Sequence, residues 1–110
     1  MINNANEYIL MAANHYDDGI EHHGMPKNIK TGFVICGRRH HNCIALFALM
    51  VGFPYDERGL KLMNTEEQGF LTNTDRFVNR KEALEIAEAA NQLLPDERIS
   101  GVGLHSENLY

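Results

Sequence analysis

Between Thr31 and Gly52 the hydrophobic pattern switches from that of a strand to that of a helix, which commits the chain to a mixed α+β fold. Thr31–Gly37 (TGFVICG) is rich in β-branched and aromatic residues and is bounded by glycines, as a strand is. Five polar residues, Arg38 to Asn42, follow it. From about His40 to Val51, Cys43, Leu46, Phe47 and Met50 recur at i, i+3, i+4 and i+7, which predicts a helix with those four side chains inward. Gly52 stands where a left-handed cap belongs, and Pro54 prevents continuation.

The flanking segments extend the same scheme. Glu7–His15 (EYILMAANH) is nearly all apolar without clean alternation, and reads as a strand buried on both faces; a short helix fits the pattern as well. An Asp17-Asp18-Gly19 turn opens a polar connection to Lys30, expected to be a mobile loop or hairpin tip, and the strands on either side of it should pair antiparallel. Asp56 caps a short helix carrying Leu60 and Met63. Gln68–Thr72 and Arg76–Val78 read as short strands around an Asn73-Thr74-Asp75 turn. Asn79 and Glu82 form a capping-box pattern before a helix that turns Ala83, Ile86, Ala87 and Ala90 to one side and ends near Gln92. Residues 95–110 form a C-terminal tail. The expectation is one domain over residues 1–110: a small antiparallel sheet with two main helices packed on one face.

Charge and motif content narrow the function. A net charge of −5 argues against a long nucleic acid as partner. The longest apolar run, Cys43 to Val51, is too short to cross a bilayer. The opening MINNANEY lacks an export signal, and Cys36 and Cys43 make no disulfide framework, so the expected compartment is cytoplasmic. No GxSxG elbow, P-loop or GxGxxG is present, and the adjacent pairs His22-His23 and His40-His41 do not have metal-ligand spacing. The expectation is therefore no metal, no cofactor and no catalysis.

The arginines are unevenly placed. Arg38 and Arg39 precede one helix, and Arg76 and Arg80 surround the start of another. Backbone N–H groups at a helix N-terminus suit an anion, whereas a guanidinium there opposes the helix dipole. That placement points to a small phosphate-bearing ligand held by Arg39, Arg76 and Arg80, with His40 beside them. Phe53, Phe70 and Phe77 are candidates to stack on a base, against the ordinary alternative that they are core. Two other readings remain: a small phosphodiesterase or nuclease using His40 or His41 as acid and base, and a module that docks on a host protein through residues 17–30.

The strings GFVICGRRHHNC, EQGFLTNTDRFVNRKEALEIAEAANQ and LHSENLY resemble small phage-encoded proteins, in particular the first anti-Thoeris family. Its members are sponges that sequester cyclic ADP-ribose isomers made by bacterial TIR-domain defence proteins. The resemblance spans residues 31–110. It implies a homodimer, or a hexamer built from it, that binds ligand between protomers without turnover, with a second site for cyclic oligonucleotides in some relatives. Carried over, the binding set is drawn from Arg39, Phe53, Arg76, Phe77 and Arg80, the arginines clamping a diphosphate and a ring stacking on adenine. The resemblance also implies that Ser106 and Tyr110 reach a partner's pocket. Asn14 stands where relatives are expected to carry an arginine, a departure that bears on ligand identity.

Overall fold

The computed structural model describes residues 6–95, 98–99 and 101–110. Strand β1 (Ile9–Tyr16) is followed by β2 (Phe33–Gly37), helix α1 (His40–Val51), helix α2 (Glu57–Met63), β3 (Glu67–Thr72), β4 (Phe77–Asn79) and α3 (Arg80–Ala89), with a 3-10 turn at Ser106–Asn108. The strands form one antiparallel sheet in the order β2-β1-β3-β4. As expected, β1 and β2 are neighbours. β1 also pairs with β3, which makes it an interior strand, but it is not buried on both faces as expected: Leu10 is exposed and Met11 and His15 are only partly covered, because pairing at its edges leaves the face away from the helices open.

Register decides which side chains face the helices. Gly37, Ala12, Phe70 and Val78 lie opposite one another across the sheet and share a face, joined by Tyr16. Helix α1 lies against β1 and β2, and α3 against β3 and β4. Cys43, Phe47, Ala83, Ile86, Ala87 and Leu104 complete the core with that row. At one end the Tyr16 and Phe47 rings stack with centroids 3.9 Å apart, and Phe33 and Tyr55 pack around them. The alanines of α3 let its backbone approach the sheet, as their spacing predicts.

The core face of α1 differs from expectation. Cys43 and Phe47 are buried, but Leu46 and Met50 are exposed. The helix is apolar around its whole circumference, so periodicity alone does not select the inward stripe; the packing of Phe47 on Tyr16 does. The polar connection after β1 also has a definite place. Met25 Sδ accepts from the Val34 N–H, Lys27 N–H donates to the Asp75 carbonyl, and the Asn28 side-chain amide bonds both the N–H (2.9 Å) and the C=O (2.7 Å) of Phe77. The loop thus runs from β2 to β4, opposite edges of the sheet, and satisfies the outer edge of β4 rather than projecting as a hairpin tip.

Capping follows the sequence closely. Asp56 accepts from Gly59 N at 2.8 Å at the start of α2, and Asn79 accepts from Glu82 N at 2.8 Å at the start of α3. The expected capping box at Asn79 is only half formed, because the Glu82 carboxylate bonds Arg76 instead of reaching back to the cap. Because the α3 cap is an exposed side chain with one clear bond, Asn79→Ala should lower stability by about 1 kcal/mol, read as a lower urea midpoint with an unchanged slope.

Candidate ligand-binding site

The sheet brings the N-termini of α1 and α3 together over β3. Arg39 is the N-cap residue of α1, and its N–H is held by Asn42 Oδ1. His40, the first helical residue, places Nε2 at 2.8 Å from the Gly69 carbonyl and Nδ1 at 3.3 Å from Arg80 Nη2, with its ring edge-on to Phe70. A proton on Nε2 donates to the carbonyl and leaves Nδ1 to accept from arginine. Burial, with the Arg80 charge also contributing, pushes the His40 pKa below its ordinary value, so the ring is neutral near pH 7.

Arg80 opens α3. Its guanidinium donates to the Leu104 carbonyl at 2.7 Å, to Gln68 Oε1 at 2.7 Å and to His40. All three acceptors are neutral, and among the described residues no carboxylate lies within ion-pair distance of it. Burial therefore lowers the Arg80 pKa, with only the more distant Glu107 opposing. Arg39 is also engaged: Nη1 donates to Ser106 Oγ at 3.0 Å, Nη2 to the Tyr110 main-chain oxygen at 2.6 Å, and the guanidinium carbon lies 5.1 Å over the Tyr110 ring. Tyr110 Oη donates to the Arg38 carbonyl. Both arginines thus hold the segment 104–110.

A polar chain continues inward from Arg80. Gln68 donates to Glu66, Tyr16 Oη donates to the other Glu66 oxygen at 2.6 Å, and Asn14 Nδ2 donates to Tyr16 Oη. Asn14 is fully buried, and its Oδ1 has no hydrogen-bond partner among the described residues. Desolvation, reinforced by Glu66, raises the Tyr16 phenol well above its ordinary pKa, so it stays a donor.

Four of the seven sequence candidates therefore belong to one connected region: Arg39, His40 and Arg80 directly, and Asn14 at the inner end of the chain. The other three lie elsewhere. Arg76 makes two bonds of 2.8 Å to the Glu7 carboxylate and one of 3.2 Å to Glu82, so its charge is already matched. Phe77 is buried on the sheet face away from the helices, its ring over Gly69, where a Cβ would meet Phe77 Cζ at 2.8 Å and the Val78 carbonyl at 2.1 Å. Phe53 is exposed just beyond the C-terminal end of α1, edge-on to Tyr55. The length of the helix, roughly 18 Å, separates it from Arg39.

Gln68 and Glu66 carry no local sequence signal and enter the region only because β3 lies beside β1. Ser106 and Tyr110 contact Arg39 within the same chain. An open cleft of about 650 Å³ lies at the other end of α1, between Asp17, Asp18, Val51, Arg58 and Lys61, and none of the seven candidates lines it. Among the described residues, no group of three or more His, Cys, Asp or Glu side chains converges as a metal site.

Comparison with known families places the chain. The phage T4 y16D protein family matches residues 8–110, which takes in every element described above. The chain belongs to the phage T4 y16D protein family. Neither a curated protein nor a solved structure matches it. This y16D-family protein has, among its described residues, no helix long and apolar enough to cross a membrane.

Proposed function

We propose that this phage protein captures a small phosphate-bearing nucleotide and holds it uncleaved. The supporting observation is Arg80: a half-buried guanidinium at a helix N-terminus, matched among the described residues only by neutral acceptors, beside Arg39 and a neutral His40 at a second helix N-terminus. A guanidinium so placed has lost hydration without gaining a counter-charge, and a phosphate supplies one. The phosphate oxygens take the places now filled by the Leu104 and Tyr110 main-chain oxygens, so capture shifts segment 104–110. Both ring nitrogens of His40 are engaged, which favours holding over general-base chemistry.

The resemblance to the anti-Thoeris sponges names the ligand class: cyclic ADP-ribose isomers, sequestered by a homo-oligomer in the host cytoplasm so that TIR-dependent defence receives no signal. Cyclic oligonucleotides are the second ligand class in this reading. The test is calorimetric titration with cyclic ADP-ribose isomers, followed by heat denaturation and chromatography of the ligand. Tight binding with the ligand recovered intact is the expected result. No binding, or recovery of a cleaved product, rejects the reading.

A further inference from the structure

The sequence puts Cys43, Leu46, Phe47 and Met50 on one face of α1, yet the sheet covers only half of that face. Cys43 and Phe47 are fully buried, whereas Leu46 is 44% exposed and Met50 62%. The flanks of the helix show why. His40, on one flank, reaches the Gly69 carbonyl on β3. Asn42, on the other, stands over Gly37 at the end of β2, where an added Cβ would meet its own Cβ at 3.1 Å. Leu46 follows Asn42 by one turn and Met50 follows Leu46 by another, so this row runs along the side of α1 away from β3. On that side β2 is the last strand of the sheet. Leu46 and Met50 therefore overhang its edge, with no strand beneath them among the described residues. The edge itself is open. The Val34 N–H bonds Met25 Sδ at 3.2 Å rather than β1, so Val34 and Cys36 turn their backbone groups outward. Among the described residues, nothing bonds the Val34 C=O or the N–H and C=O of Cys36. An added strand satisfies both features: its backbone completes the ladder, and its alternate side chains rise under Leu46 and Met50.

We propose that β2 and the overhanging side of α1 form a docking edge for an extended segment of a different protein, apolar at alternate positions and acidic at its ends. Arg38 directly follows β2 and Lys30 shortly precedes it. Both are exposed, and among the described residues neither forms an ion pair. The edge thus carries positive charge at both ends, although the chain is −5 overall, and acidic flanks complement it. The same two cations argue against a second copy, because pairing β2 with itself brings another Arg38 and Lys30 to one short edge. A lipid surface fails for a different reason: it leaves the open N–H and C=O groups unsatisfied. The proposal does not rest on the ligand reading above.

The probe is a capped peptide alternating valine and threonine between glutamate ends, titrated into the full chain and followed by amide hydrogen exchange. The Cys36 N–H should exchange freely in the free chain, and saturating peptide should slow it at least tenfold while the β3 amides stay unchanged. Leu46→Ser and Met50→Ser should each weaken binding about tenfold, the worth of an apolar side chain half withdrawn from water. Neither change should move the thermal midpoint much, since both side chains are already exposed. The same peptide with lysine ends should bind more weakly. No saturable binding at millimolar peptide overturns the proposal, and so does binding that both serine substitutions leave intact. A Cys36 amide protected in the free chain and released on dilution would assign the edge to a second copy, which overturns it equally.

Discussion

Arg76→Ala is expected to lower stability by about 3 kcal/mol, a large share of what a domain this size possesses. The reason is Glu7, a buried carboxylate that accepts two bonds from Arg76, one from Thr72 and one from Thr74. Removing the guanidinium leaves a charge out of water with only hydroxyls to stabilise it. The Arg76 hydrogen bonds hold the Glu7 pKa at about 2 against an ordinary value of 4.5. Because the folded value is the lower one, the contribution is complete above the unfolded pKa and disappears as pH falls through the folded one. Glu7→Gln should therefore differ from wild type by about 3 kcal/mol at neutral pH, and the gap should narrow steadily below pH 4.5. Urea unfolding at several pH values checks both statements. A gap that stays constant down to pH 2 would show that packing, not charge, is what Glu7 contributes.

Arg80→Ala should weaken capture of cyclic ADP-ribose by about a hundredfold or more, since two charge-assisted bonds are each worth about 1.5–3 kcal/mol. The same change removes the donor that the Leu104 carbonyl and Gln68 share, so segment 104–110 should exchange its amide hydrogens faster while the sheet remains protected. Arg80→Lys keeps the charge without the planar fork and should recover only part of the affinity. Arg58→Ala, in the cleft at the far end of α1, should leave binding unchanged. Wild-type affinity in a folded Arg80→Ala protein would remove Arg80 from the site and with it the geometric basis of the proposed function.

The candidate region is partly legible in the sequence. Arg39, His40 and Arg80 stand out because a helix start can be read from a few neighbouring residues: a capping side chain, an apolar period, a glycine stop. Arg76 looked equivalent, and nothing close to it in sequence marks its partner, Glu7, which is 69 positions away. Arg39 and Tyr110 are 71 positions apart, so the docking of the C-terminal segment was equally invisible. Phe77 read as a stacking ring or as core; strand alternation and the register with Leu71 put it on the face away from the arginines.

What the sequence alone determined is local. The span of α1, the caps at Asp56 and Asn79, and the strand character of the TGFVICG run follow from propensities and hydrogen bonds acting over a few residues. What only the tertiary structure decided is which surfaces meet. α1 is apolar on every side, and its inward face was chosen by the stacking of Phe47 on Tyr16, a contact between residues the chain separates widely. In the same way Gln68 and Glu66 joined the polar chain because β3 pairs with β1. Burial acts through space and is indifferent to chain order, so a local pattern can specify an element and leave its partners open.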